Sequence, residues 1–159
     1  MDMARRDTPA PSRNESIPTS ATLVIGIGNE LRGDDGVGFF VARGLKKLLD
    51  EPVGILESSG EGTELIDLWS GAALVVAVAA VYSGAEPGTI FQFELPGDDI
   101  PKALFPRHST HAFGILDAIE LGRALGNLPA RMIIYGIEGR SYEAGAALSE
   151  EVARSALEI

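Results

Sequence analysis

The hydrophobic positions of the chain follow two repeat patterns, one typical of buried strands and one typical of amphipathic helices. Residues 74–81 form an uninterrupted apolar run, as expected of a strand buried on both faces. From Val37 to Leu49 apolar residues recur at helical spacing, with basic residues on the opposite face. The predicted strands are residues 22–27, 53–57, 74–81, 89–95 and 131–137. The predicted helices run from Val37 to just before Pro52, over 63–69, over about 111–125, and onward from Ser149.

The order of these elements predicts a single three-layer α/β domain. Strands and helices alternate up to residue 81, which favours a right-handed, mostly parallel twisted sheet of about five strands with helices on both faces. Residues 89–95 alternate apolar and polar side chains, as in a half-exposed edge strand. The short turn at residues 84–88 predicts that this strand pairs antiparallel with the strand at 74–81. We expect the domain to span residues 21–159 and residues 1–20 to form a flexible N-terminal extension.

The composition excludes several classes of partner and site. Thirteen basic against 23 acidic residues give a net charge of −10, which repels nucleic acid and anionic lipid surfaces. Cysteine is absent, so a metal would be bound through oxygen and imidazole, and disulfides and thiolate nucleophiles are excluded. No apolar run approaches the roughly 20 residues needed to span a membrane, and the first 19 residues lack the hydrophobic segment of a secretory signal. We therefore expect a cytoplasmic protein.

The turn after the first predicted strand carries the most informative motif, Gly-Ile-Gly-Asn-Glu-Leu-Arg-Gly-Asp-Asp-Gly-Val-Gly at residues 26–38. A dinucleotide-binding fingerprint would need glycine where Leu31 stands, and a Walker loop would need lysine where Asp34 stands. Two adjacent carboxylates also disfavour a bound phosphate. At the carboxyl edge of a parallel sheet they indicate instead a cation site or a general base. The alternative is that Asp34 or Asp35 caps the following helix, and one aspartate could cap while the other is available.

Both histidines lie in one short segment, at His108 and His111. A single histidine is more often a hydrogen-bonded structural residue than a ligand, and we expect that role for His108. Whether His111 is a ligand depends on the segment that follows it. A serine hydrolase is disfavoured, because no Gly-x-Ser-x-Gly motif occurs.

Three segments, taken together and in this order, are similar to one known family. The motif at residues 26–38 resembles the N-terminal signature of the [NiFe]-hydrogenase maturation endopeptidases. Residues 83–89, Ser-Gly-Ala-Glu-Pro-Gly-Thr, resemble the turn after that family's third strand, and residues 109–114, Ser-Thr-His-Ala-Phe-Gly, resemble its histidine segment. The resemblance extends over residues 23–159.

The resemblance implies a site and a substrate. In the family, nickel is recognised by an acidic residue of the first turn, an aspartate near the end of the third strand and the histidine before the later helix. Carried over by motif, the first is Asp35 and the last is His111, while the middle position is Ala79. Asp34 is a weaker candidate for a helper, as a cap or a base. The substrate would be the large-subunit precursor of a [NiFe]-hydrogenase, which supplies the nickel, and the protease would hold no permanent cofactor.

Ala79 changes what this chain is expected to do. A site with three protein ligands loses both charge compensation and geometry when one carboxylate is missing. We therefore expect weak metal binding and little or no cleavage of the C-terminal extension. One alternative is a catalytically inactive binding module, or a metal-handling chaperone, for the large subunit. Another is that Ala79 is a core alanine of a protein that never bound metal.

Overall fold

The computed structural model describes residues 22–48, 53–101, 104 and 114–159. These residues contain a five-stranded sheet in the order β2-β1-β3-β5-β4. The strands are β1 (Thr22–Ile27), β2 (Gly54–Ser58), β3 (Leu74–Val81), β4 (Ile90–Leu95) and β5 (Arg131–Glu138). The helices are α1 (Val37–Leu48), α2 (Gly62–Trp69), α3 (Ile115–Leu125) and α4 (Glu150–Ala156), with a 3-10 turn at Gly33–Gly36 before α1.

The sheet has helices on both faces, which confirms the predicted α/β class. Strands β2, β1, β3 and β5 are parallel, and β4 is an antiparallel edge strand. Alternate residues of β3 point to opposite faces, as they must in a strand. Ala77 and Ala79 belong to the apolar cluster beneath α2 and α3, whereas Val78 belongs to the cluster beneath α1 and α4. Burial on both faces explains why the third strand is an unbroken apolar run.

The predicted partner of the edge strand was wrong. β4 pairs with β5, from Ile90 opposite Ile137 to Leu95 opposite Met132. Both edges of β3 are already occupied, by β1 and β5, so the connection after β3 has to cross the carboxyl end of β5. Two backbone hydrogen bonds fix the crossing, from Gly88 N to Glu138 O (2.8 Å) and from Glu138 N to Thr89 O (2.8 Å).

Two helix starts differ in detail from their predictions. Gly114 is extended and α3 begins at Ile115, later than the predicted start near residue 111; residues 111–113 themselves lie outside the described residues. Ser149 precedes α4 as predicted, but its hydroxyl makes no capping hydrogen bond. The predicted N-terminal extension, residues 1–20, also lies outside the described residues. Within the described ranges, none of the helices combines the length and apolar character that crossing a membrane requires.

Candidate functional site

The first turn folds back over the carboxyl end of β1. Gly28 has a φ of +150° there, and a Cβ at this position would lie 1.9 Å from the carbonyl oxygen of Asp35. Only glycine allows the backbone to approach so closely. Asn29 closes the turn: its backbone N donates to Asp35 O (3.1 Å), and its side-chain Oδ1 accepts from Leu31 N (2.9 Å). The Gly-Asn pair of the motif thus places Asp35 directly above the end of a buried strand.

The side chain of Asp35 lies at this edge of the sheet and is partly exposed. Its Oδ1 is 3.6 Å from the point that a Gly28 Cβ would occupy. Its backbone N donates to Arg32 O at 3.1 Å, so the residue is held by the turn on both sides. A carboxylate in this position has the chemistry required of a cation ligand. The assignment of Asp35 as a ligand stays a prediction.

Asp34, its neighbour, is fully buried and is bonded to a distant part of the chain. Its Oδ2 accepts from Arg140 N (2.7 Å), Ser141 N (3.1 Å) and Ser149 Oγ (3.0 Å). Its Oδ1 accepts from Ser149 N at 2.7 Å, and its own backbone N donates to Ser141 O at 2.8 Å. Asp34 therefore joins the first turn to the segment between β5 and α4 rather than capping α1. Its predicted role as a base stays untested.

Position 79 lies at the same edge of the sheet. Val78 is level with Gly26 of β1, and Ala79 is level with Gly136 of β5. Position 79 is thus next to the end of β1, which leads into the turn that carries Asp35. Ala79 is 4% exposed, and its methyl group packs into the apolar cluster beneath α2 and α3. It offers no donor atom to a metal.

The two histidines, His108 and His111, lie outside the described residues. The first described residues after them are at the start of α3, where Gly114 N donates to Asp117 Oδ2 at 3.2 Å. Ile115 belongs to the same apolar cluster as Ala79. The convergence of His111 with Asp35 stays a prediction. In the described part of the chain, no group of three His, Cys, Asp or Glu side chains is placed to hold a metal ion.

A second buried carboxylate, Glu138 at the end of β5, supports the turn after β3. It is 2% exposed and accepts from Ser83 N (3.1 Å to each oxygen), Ser83 Oγ (2.6 Å) and Gly84 N (3.2 Å). These bonds offset the cost of burying its charge. A glutamate at the end of an otherwise apolar strand is a sequence signal for such a role, and our prediction ended the strand one residue before it.

Tyr142 is a residue of this edge that the sequence did not indicate. Its hydroxyl donates to Val81 O at 2.6 Å, and its ring meets Tyr82 edge-on, with centroids 5.0 Å apart and planes at 88°. Burial raises the pKa of Tyr142, and the nearby carboxylates of Glu138, Asp34 and Asp35 raise it further. Tyr142 therefore connects the segment after β5 to the end of β3.

Comparison with known proteins points to one family. The family model described as hydrogenase maturation protease matches residues 40–158. The hydrogenase expression/formation protein HupD of Thiocapsa roseopersicina is 30% identical over 119 residues, which cover 73% of this chain but only 53% of that protein. The hydrogenase 2 maturation protease of Escherichia coli K12 is 29% identical over 124 residues, 76% of this chain and 74% of that protein.

A solved structure shows the same fold. The hydrogenase maturating endopeptidase HybD from E. coli superimposes with a TM-score of 0.74 at 23% identity, over 87% of this chain and 86% of that chain. The five-stranded mixed sheet with helices on both faces is thus common to the two proteins.

Proposed function

Because the chain belongs to the hydrogenase maturation protease family, we propose that it acts on the large-subunit precursor of a [NiFe]-hydrogenase and removes its C-terminal extension. One observation carries the proposal. The first turn holds Asp35 at the carboxyl end of β1, and β1 is the neighbour of β3, which carries position 79. This carboxyl edge is where parallel α/β sheets commonly bind their ligands.

In this proposal the nickel arrives with the precursor and is part of the substrate. The Asp35 carboxylate and the His111 imidazole complete its coordination and so position the precursor. A water molecule, polarised by the nickel or activated by a carboxylate, then attacks the carbonyl carbon of the scissile peptide bond. The C-terminal extension leaves as the amine product, and the protease itself retains no metal.

Ala79 sets the expected level of activity. An aspartate at this position would add an oxygen ligand and a negative charge, whereas the methyl group of Ala79 adds neither. We therefore propose that this chain binds nickel weakly and cleaves the precursor slowly or not at all. The same observation favours a second candidate function, a catalytically inactive module that binds the nickel-loaded large subunit or helps to handle its metal.

The test restores the missing carboxylate. Wild type and Ala79→Asp are incubated with nickel-loaded precursor, and the mass of the large subunit is followed by mass spectrometry. Ala80→Asp is the matched control, because it adds the same carboxylate one residue along β3, on the opposite face of the sheet. Circular dichroism establishes that each variant is folded.

Three outcomes separate the candidates. Cleavage by Ala79→Asp alone supports the protease proposal and the role of position 79. Binding of the precursor by the wild type and Ala79→Asp, without cleavage by either, favours the inactive module. If neither version binds the precursor, the proposed substrate is wrong.

A further inference from the structure

We propose that Asp34 is a positioning residue for Asp35, and that it fixes the first turn so that the Asp35 carboxylate is held in place for the nickel of the substrate. This inference rests on the proposed function. It assigns a task to a fully buried carboxylate that the cleavage step itself does not use.

The hydrogen bonds and the full burial of Asp34 suit a structural carboxylate better than a ligand or a base. An ionised carboxylate has about four acceptor sites on its two oxygens. Four donors bond to this carboxylate: Arg140 N, Ser141 N and Ser149 Oγ to Oδ2, and Ser149 N to Oδ1. Because Asp34 is also fully buried, a metal ion could reach it only by displacing surrounding protein groups.

The same bonds connect the turn to residues that are far away in the chain. Arg140, Ser141 and Ser149 are 106, 107 and 115 residues beyond Asp34. Gly33 is part of this contact, since a Cβ there would lie 2.4 Å from Ser141 O. The turn therefore packs directly on the segment between β5 and α4, and Asp34 is its main polar connection to that segment.

Asp35 takes its position from this connection. The backbone hydrogen bonds of Asp35 are local, to Asn29 N and Arg32 O within the turn. Local bonds preserve the shape of the turn. Asp34, one peptide unit away, connects the turn to the segment of residues 139–149, which also carries Tyr142 bonded to Val81 O of β3. Groups that orient a metal ligand by a direct hydrogen bond commonly change metal affinity or activity by about 10- to 100-fold when they are removed, and we expect an effect near the lower end of this range for Asp34, which acts through the backbone.

The experiment measures nickel affinity, which needs no precursor. Untagged Ala79→Asp protein is titrated with Ni²⁺ alone by calorimetry, well below its thermal midpoint, and compared with the same protein carrying Asp34→Asn. We expect Asp34→Asn to weaken Ni²⁺ binding about 10-fold or more. The titrations are repeated in Ala79→Asp protein that also carries Asp35→Asn. In this protein, which lacks the Asp35 carboxylate, Asp34→Asn should cause no further loss of Ni²⁺ affinity, because Asp34 acts through Asp35.

Glu138→Gln in the Ala79→Asp protein is the matched control for stability alone. Glu138 is a comparably buried carboxylate whose donors, Ser83 and Gly84, lie on the other turn. Its replacement should lower the thermal midpoint and leave Ni²⁺ affinity unchanged. If Asp34→Asn behaves in the same way, Asp34 has only a structural role and the inference is overturned.

Two further results keep the inference testable. If Asp34→Asn does not fold, Ser149→Ala removes one donor, the hydroxyl, and should still weaken Ni²⁺ binding measurably; unchanged affinity would contradict the inference. If Ala79→Asp binds Ni²⁺ in an Asp34-dependent way but does not cut the precursor, the proposed function fails while the positioning role stands. Failure of Ala79→Asp to bind Ni²⁺ at all would overturn the metal-directed site and the positioning role with it.

Discussion

Adjacent residues of one turn, Asp34 and Asp35, have very different surroundings. Asp34 is fully buried and hydrogen-bonded to the segment before α4, whereas Asp35 is partly exposed at the sheet edge. In a tight turn successive side chains point in different directions, so a pair of like charges can be separated by the backbone alone. The turn thus places one charge in a polar interior site and keeps the other near the candidate site.

The hydroxyl of Tyr142 gives a direct test of the contact between the end of β3 and the segment after β5. We expect Tyr142→Phe to lower the free energy of unfolding by about 1 kcal/mol, because it removes the hydrogen bond to Val81 O and retains the ring that packs on Tyr82. Urea denaturation followed by circular dichroism measures the change.

Tyr135→Phe is the control for this substitution. Tyr135 is a partly buried residue of β5, and its hydroxyl makes no hydrogen bond to the described part of the chain. Its replacement should change the free energy of unfolding by less than about 0.5 kcal/mol. Equal losses in the two variants would show that the bond to Val81 O contributes little.

Single residues of the site differ in how far the sequence predicts them. The locations of Asp35 and of position 79 near the carboxyl edge of the sheet follow from motif spacing, because the glycines and the apolar strand around them restrict where they lie; their role as ligands stays a prediction. The division of labour between Asp34 and Asp35 does not follow, since the donors of Asp34 are more than 100 residues away. Tyr142 lies in an irregular segment without periodicity, so no pattern indicates its bond to Val81 O.

Helix α1 is the element that holds the site against the sheet. It begins over the carboxyl ends of β1 and β3, where a Cβ at Gly38 would lie 2.4 Å from Val78 O and 2.6 Å from Ile27 N. Opposite it, a Cβ at Gly26 would lie 2.2 Å from Gly38 O. Glycines on both sides therefore allow the helix and the strand to approach closely.

This close contact predicts opposite effects for two glycines of one helix. Gly38→Ala should lower the free energy of unfolding by about 1–3 kcal/mol, because the added methyl group forces the backbones apart. Gly44→Ala should raise it by about 0.5–1 kcal/mol, since no atom lies within 4 Å of a Cβ there and alanine favours the helix. Chemical denaturation of both variants measures the difference. Destabilisation by Gly44→Ala, or no effect of Gly38→Ala, would contradict the packing argument.

Elements were predictable where burial imposed a pattern. β1 and β3 have the bounds expected from their apolar runs, and β2 is displaced by one residue. The pairing of β4 was not predictable from the length of its connection, because a short turn cannot reveal that β5, which is later in the chain, occupies the edge of β3. Local patterns describe single strands, whereas strand order depends on the competition of all strands for the same edges.

One cation, Arg43, connects three elements of an acidic chain. Arg43 of α1 donates to both oxygens of Glu30 in the first turn, at 2.9 and 3.0 Å. It also donates to both oxygens of Glu57 in β2, at 2.7 and 3.0 Å. With a net charge of −10, the folded chain repels itself, and such a junction reduces that repulsion locally.

The Arg43 junction predicts a specific dependence of stability on pH. Hydrogen bonds from Arg43 hold the pKa of Glu30 and the pKa of Glu57 below their ordinary value of 4.5. A carboxyl group with a depressed pKa in the folded state contributes stability above its unfolded pKa and loses it as the pH falls through the folded pKa. Arg43→Met should therefore lower the thermal midpoint at pH 7, and this difference from the wild type should shrink as the pH falls below 4.5.

The thermal midpoints of the wild type and of Arg43→Met are measured between pH 7 and pH 3. Because the two proteins share all other titrating groups, the difference between them at each pH reports the Arg43 junction. Lys47→Met is the control: it removes one positive charge from the same helix, but Lys47 forms no ion pair with the described residues. Added salt should also reduce the effect of Arg43→Met, because both glutamates are at least partly exposed to solvent. If the difference between the two thermal midpoints stays constant with pH and salt, the stabilisation comes instead from the contact between Arg43 and Phe39. The guanidinium carbon of Arg43 lies 5.4 Å from the centroid of the Phe39 ring.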